Sequence, residues 1–158
     1  MPFKLNSASE YAIRLIVYLS ELDVGTIISV KEIARIQNIP EKFLHTITTQ
    51  LQKLDYINSF KGKGGGIQLA RDAGDITMLE IVEALEGPIS VNVCTVDNSA
   101  CIFSDTCSVH CVWDDVHTSI KQILSTKTMA SLAGENLLAR NNRFPGSKVQ
   151  SEVKSHGN

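Results

Sequence analysis

The 158-residue chain has no apolar run long enough to cross a bilayer, and its longest, Ile13-Arg14-Leu15-Ile16-Val17-Tyr18-Leu19, is interrupted by an arginine. The opening Met1-Pro2-Phe3-Lys4 lacks a secretory h-region, and the two absences together predict a cytoplasmic protein with no membrane partner. Net charge is scarce too, at −2, which excludes binding of polyanions by bulk charge alone. No cysteine lies outside one window of 18 residues, and without an export signal a disulfide framework is disfavoured. The chain has no G-x4-G-K-[ST] phosphate loop, no visible nucleophile, base and orienter set, and no internal repeat. What is present, 43% hydrophobic and 20% charged residues, is ordinary for one compact domain or a small domain with an appended arm.

The small net charge hides an asymmetry. Residues 1–71 carry nine Lys/Arg against six Asp/Glu, a net of +3, whereas residues 72–158 carry six against eleven, a net of −5. A positive N-terminal half can face phosphates, although a charge of this size is as readily a solvated surface.

Hydrophobic periodicity predicts a mainly α protein with one small β-hairpin. Tyr11, Leu15, Tyr18, Leu19 and Leu22 recur at helical spacing over about residues 8–22. Ser29-Val30-Lys31-Glu32 has the spacing of a capping box and opens a short helix to about Gln37. Pro40 suits the first turn of a third helix, in which Phe43, Leu44, Ile47, Leu51 and Leu54 share a face through about residue 55. Its other face is polar: Lys42, His45, Thr46, Thr49, Gln50 and Lys53. Two strand-like runs, Tyr56 to Phe60 and Ile67 to Leu69, flank Lys61-Gly62-Lys63-Gly64-Gly65-Gly66, a basic turn whose glycines permit positive φ. Three helices followed by a hairpin is the order of a winged helix-turn-helix, with residues 40–55 as the helix that enters a groove.

Thr77-Met78-Leu79-Glu80 forms a second capping box, and Gly87-Pro88 stops the helix it opens. From about Thr106, Val112, Val116, Ile120, Ile123 and Leu124 define a long amphipathic helix with Trp113 alongside. No later segment offers it an obvious partner, so a second chain is a candidate. A shorter helix over 128–140 precedes a polar tail. The expected organisation is a DNA-binding domain over 1–75, cysteine loop and dimerisation helices over 76–140, and a flexible tail over 141–158.

The four cysteines form C-x6-C-x5-C-x2-H-C from Cys94 to Cys111, with Cys101 and Cys107 between and His110 before the last. If Cys107 starts a helix, His110 and Cys111 share its face. Clustered thiols in a reducing compartment favour a metal, and long spacers suit a loop around an iron–sulfur cluster better than the tight knuckles of structural zinc. The plainer alternative is four small buried hydrophobes, which have no reason to bunch in a loop rich in Asp, Asn and Ser.

At these residues the chain resembles the iron–sulfur transcription regulators of the IscR, NsrR and RirA type. The likeness spans roughly residues 3–135: Leu5 to Arg14 with Tyr11-Ala12, the Lys61 to Gly66 wing, the helix from Asp75-Ile76 to Gly87, and three cysteines near the family spacing. It implies a homodimer bound to a palindromic operator in double-stranded DNA, its affinity controlled by the cluster. It also implies Cys94, Cys101 and Cys107 as thiolate ligands and His110 as the fourth ligand of a 2Fe-2S cluster. Glu10, where other branches use a carboxylate, and the extra thiol Cys111 are the alternatives, with a 4Fe-4S cluster as the alternative cofactor. The gap from Cys94 to Cys101 is one residue longer than the family's. Without a ligand role, His110 is a helix-surface histidine and Glu10 a favourable first-turn charge.

The resemblance further implies His45 and Thr46 as base readers, with Lys42 and Phe43 nearby and Lys61 at the wing position that reaches a minor groove. Thr49, Gln50, Lys53, Lys63, Gly64 and Gly65 complete the expected DNA face. Thr and His can bond base edges or touch thymine methyls, and a narrow minor groove attracts a cation. A solvated face is the simpler explanation of such polarity, and the adjoining glycine-rich wing is what argues against it. Two other functions compete: the same fold holding zinc or acting by a thiol switch or a partner protein, and a small cysteine-metal enzyme. The expected answer is a regulator and not an enzyme.

Overall fold

In the computed structural model, which describes residues 5–95, 97, 99, 101–104 and 106–143, the first helix α1 (Ser7–Ser20) is the centre of the molecule. Asn6 caps it by accepting from the Ser9 amide at 2.9 Å. Ala12, Ile13, Leu15, Ile16, Val17, Tyr18 and Leu19 are all buried, so the helix is covered on nearly every side instead of along the single stripe its periodicity predicts.

Helix α2 (Val30–Gln37) starts at Ser29, whose hydroxyl accepts from the Glu32 amide at 3.2 Å, as the capping box requires. It ends at Asn38 in the left-handed conformation with φ 51°, and the Arg14 guanidinium donates to the freed Gln37 carbonyl at 2.6 Å. Helix α3 (Glu41–Lys53) follows, with Pro40 at its N-cap and not in its first turn. It buries Leu44, Ile47, Thr48 and Leu51 and leaves its polar face outside.

Strands β1 (Ile57–Phe60) and β2 (Gly66–Leu69) pair antiparallel with Ile57 opposite Leu69 and Phe60 opposite Gly66. Ile28 adds an isolated bridge to Ile67, so the segment before α2 joins the hairpin, and the result is a winged helix-turn-helix. Behind the wing, Tyr56 donates its hydroxyl to Glu80, and burial followed by the Glu80 charge pushes that phenol up to about 12. Because the phenol is raised, this contribution to stability is complete below the ordinary tyrosine value and is lost only as pH climbs through about 12.

Helix α4 (Met78–Glu86) is capped by Thr77, which accepts from the Glu80 amide at 3.1 Å, and it stops at Gly87 with φ 85°. Its last carboxylate, Glu86, accepts the Asn6 amide at 2.9 Å. Helix α5 (His110–Thr126) begins four residues later than the apolar pattern suggests, leaving Cys107 in a turn before it. Ile120 and Leu124 pack on the core through α4, while Val112, Val116 and Ile123 stay exposed, so the expected apolar stripe is divided. Helix α6 (Met129–Arg143) turns back along α1. Met129 is fully buried, its amide bonds Ile76 at 2.8 Å, and the Met78 amide bonds Lys127 at 2.7 Å. Farther along, Arg140 donates to the Glu21 carboxylate at 2.7 and 3.2 Å, with the Glu21 side chain only 4% exposed. The remainder of the expected tail lies outside the described residues. Among those described, no helix is long and apolar enough to cross a membrane.

The wing glycines differ in what they tolerate. A Cβ at Gly66 meets the Ile28 carbonyl oxygen at 2.2 Å, whereas one at Gly64 meets nothing but carries φ +79°. Gly64→Ala is expected to cost about 1–2 kcal/mol. Gly66→Ala is expected to cost about 3 kcal/mol and to separate the wing from the strand before α2. Urea denaturation of the two variants checks the order.

Candidate nucleic-acid interface and cysteine segment

The outward face of α3 presents Lys42, Phe43, His45, Thr46, Thr49, Gln50 and Lys53, all exposed. His45, Thr46, Thr49, Gln50 and Lys53 line one shallow concavity. Thr49 donates its hydroxyl to the His45 carbonyl at 2.8 Å, which leaves its methyl and lone pairs for a ligand. Phe43 is half exposed and its ring sits 6.4 Å from that of Tyr11, so it also braces α3 against α1.

A second groove runs between α3, the wing and the start of α2, with Lys61 and Gly65 on the wing side and His45 and Thr49 on the helix side. Gly65 N–H bonds the Gly62 carbonyl at 3.0 Å, and Gly62 and Gly64 hold φ +96° and +79°. That turn carries the exposed side chains of Lys61 and Lys63 at the wing tip. Lys31, which sequence reasoning missed, lines this groove as well. Its signal was its place in the first turn of α2, two residues after the Ser29 cap, because that turn carries free amides and a positive dipole end suited to phosphate. Surface, shape and charge together form a concave basic face of the kind that accepts a nucleic-acid backbone.

The cysteine segment is built differently. Cys94 sits in a 3-10 turn, Val93–Thr95, packed against α5. Single turns follow: the amides of Asp97, Ser104, Thr106 and His110 bond the carbonyls of Val93, Cys101, Phe103 and Cys107 at 3.0–3.1 Å. Ser99 donates its hydroxyl and then its amide to Asp97, holding that carboxyl below its usual range. All four thiols are unbridged; Cys94, Cys101 and Cys107 are half-buried and Cys111 is exposed. Among the described residues, three side-chain atoms are buried without a hydrogen-bond partner: Ser104 Oγ, His110 Nδ1 and His117 Nδ1. Two of these three belong to the cysteine segment and the turn of helix that follows it.

The donor set fits a thiolate-bound metal or cluster in kind. Three soft, part-buried sulfurs and a buried imidazole nitrogen with nothing to bond are what such a group takes, and an unpartnered buried polar atom costs about 1–3 kcal/mol. The sulfurs share one segment, but among the described residues no three His, Cys, Asp or Glu groups are gathered closely enough to hold an ion. Glu10 is exposed in the first turn of α1 and joins no such group.

Comparison with known proteins agrees with this architecture. The Rrf2 family profile, described as an iron-dependent transcriptional regulator, matches residues 5–135. The chain belongs to the Rrf2 family. It is therefore a DNA-binding transcriptional regulator. It is 30% identical over 130 residues to the HTH-type transcriptional regulator NsrR of Halalkalibacterium halodurans, covering 82% of this chain and 89% of that one. Among solved structures, T. potens IscR superposes with a TM-score of 0.69 at 25% identity over 89% of this chain and 93% of its own. CymR, the global cysteine regulator of B. subtilis, shares the fold with a TM-score of 0.71 at 24% identity, over 84% of this chain and 98% of its own.

Each cation on a phosphate changes the salt dependence of Rrf2-type binding by a countable amount. Lys61→Ala and Lys31→Ala are each expected to weaken binding to all duplexes alike and to lower the slope of log K against log salt by about one per site. Fluorescence anisotropy across a salt series measures both slopes.

Proposed function

We propose that this chain is a homodimeric regulator that binds a palindromic operator and whose affinity is set by an iron–sulfur cluster held by Cys94, Cys101 and Cys107. His110 is the fourth ligand, and the cluster is of the 2Fe-2S type. The observation that carries the reading is the buried, unpartnered His110 Nδ1 at the end of the segment that carries three half-buried, unbridged thiols. A bound cluster supplies iron–thiolate bonds that oxidants, nitric oxide or iron shortage can alter. We assign the protein no catalytic role.

The chain's own residues account for the rest. Val109, Val112, Val116 and Ile123 on α5 are exposed apolar groups that a second α5 would cover, which supports the homodimer. Two copies then present two α3 helices, and a two-fold dimer reads half-sites about one helical turn apart. Convergence of the thiols draws the Cys94 turn along α5, which is tied to α4 by the Lys121–Glu83 pair at 3.0 Å. From α4 the path to α3 is short, because both pack on α1. DNA contacts fall to Lys42, Phe43, His45, Thr46, Thr49, Gln50 and Lys53 of α3, and to Lys61, Lys63, Gly64 and Gly65 of the wing.

A second reading, a thiol or zinc switch on the same fold, is favoured by the sulfurs not being gathered and by the exposed Cys111. Anaerobic purification with iron, sulfide and zinc analysis separates the two. Iron and sulfide in equal amounts, lost in Cys101→Ala together with a change in operator affinity, is the expected outcome. A colourless protein with free thiols or zinc would sink the cluster and leave the switch. In the iron-loaded protein, His110→Ala is expected to remove nitrogen ligation from the Mössbauer spectrum, and an unchanged spectrum would move the fourth ligand to Glu10 or Cys111.

A further inference from the structure

His45, like Thr49, lines both the concavity along α3 and the groove toward the wing, and it is the one of the two that can carry charge. Its Nε2 lies 3.6 Å from the Glu41 carboxylate one turn earlier, with both side chains more than half exposed, at 62% and 51%. The charged groups that share its surroundings are Glu41 and Lys42 about one turn earlier on its own helix, and, lining the same two cavities, Lys53 farther along that helix, Lys31 from α2 and Lys61 from the wing.

Without DNA, the ring and the Glu41 carboxylate stand in water, which screens the pair. With DNA, backbone phosphates add negative charge beside the ring and Glu41 acts through less water, and both favour the charged form. A neutral imidazole carries one donor and one acceptor and tolerates several base edges. The protonated ring carries two donors and no acceptor. With Glu41 accepting from one nitrogen, the other N–H demands an acceptor, and guanine offers two, N7 and O6, on one edge of the major groove.

We propose that His45 reads a guanine in each half-site as an imidazolium, with Glu41 as its positioning residue, so that operator binding takes up protons. The inference rests on α3 being the reading helix of the function proposed above. A histidine whose pKa rises on binding gives its full contribution below the free value, and the contribution is lost as pH rises through the bound value.

The test uses the full chain, purified anaerobically, and the duplex it selects from a random library at pH 6, with affinity measured from pH 6 to 8 at fixed ionic strength. Wild-type affinity is expected to fall about tenfold or more over that range, His45→Gln by less than about twofold, and Glu41→Gln to move the fall to lower pH. Guanine at one position per half-site is expected in the wild-type selection and is expected to be lost with His45→Gln. A flat wild-type profile, or a fall that persists in His45→Gln, overturns the proton-linked reading while leaving α3 as the DNA-binding helix. A library in which nothing is enriched overturns both.

Discussion

The burial of α1 on almost all sides is the constraint on which the rest of the molecule depends. A helix that keeps seven consecutive-turn side chains from water must be enclosed by several elements, and here α2, α3, α4, α6 and β2 all pack on it. Full burial of a side chain such as Leu15 or Ile16 contributes about 1.5–3 kcal/mol. Polar ties hold both ends. Asn6 donates to Glu86 at 2.9 Å, and Glu86 is held below its usual range first by the Ser9 hydroxyl and then by that amide. Glu21 receives Arg140 and Asn136 at the other end. The recognition helix and the two helices of the second half therefore share one strut, and no displacement of one element leaves the others untouched.

The wing turns the same economy to DNA. Its hairpin is only two strands, too small to stand alone, and it is held by the Ile28 bridge and by Ile57 and Ile67 in the core. The backbone approach at Gly66 leaves no space for a side chain, and that close approach sets Lys61 opposite α3 and Lys31. A weakly basic N-terminal half thus becomes a concentrated basic groove, because the fold gathers lysines that are 30 residues apart in the chain.

Local signals were the legible part of the sequence. Ser29 and Thr77 cap where their Glu three residues later implied, the glycine run makes the turn, and the polar residues of α3 are the exposed ones. Whatever depended on distant partners was hidden. The single stripe read for α1 became all-round burial because α6, more than 100 residues later, covers its rear. The apolar positions of α5 divided between α4 and solvent for the same reason, since periodicity reports which side is apolar and not what lies against it. The Glu21–Arg140 pair has no local signature. The cysteine grouping was plain, but spacing does not decide convergence, and among the described residues the thiols are not gathered.

The convergence proposed for the thiols need not disturb the core. Among the described residues from Ser90 to Val109, every hydrogen bond closes over four residues or fewer, and only Ser104 is buried. Such a segment can change its turns while the Leu15, Ile16, Leu44 and Ile81 packing stays in place, since local opening costs far less than global unfolding. The sensing role proposed for this segment needs such low connectivity within it and firm connection at its exit. The exit is α5, joined to α4 by Ile120, Leu124 and the Lys121–Glu83 pair, and α4 reaches α1 directly. Rearrangement is therefore inexpensive where the thiols lie and is carried rigidly once it reaches α5, which is the division of stiffness that coupling a thiol site to a DNA-binding helix requires.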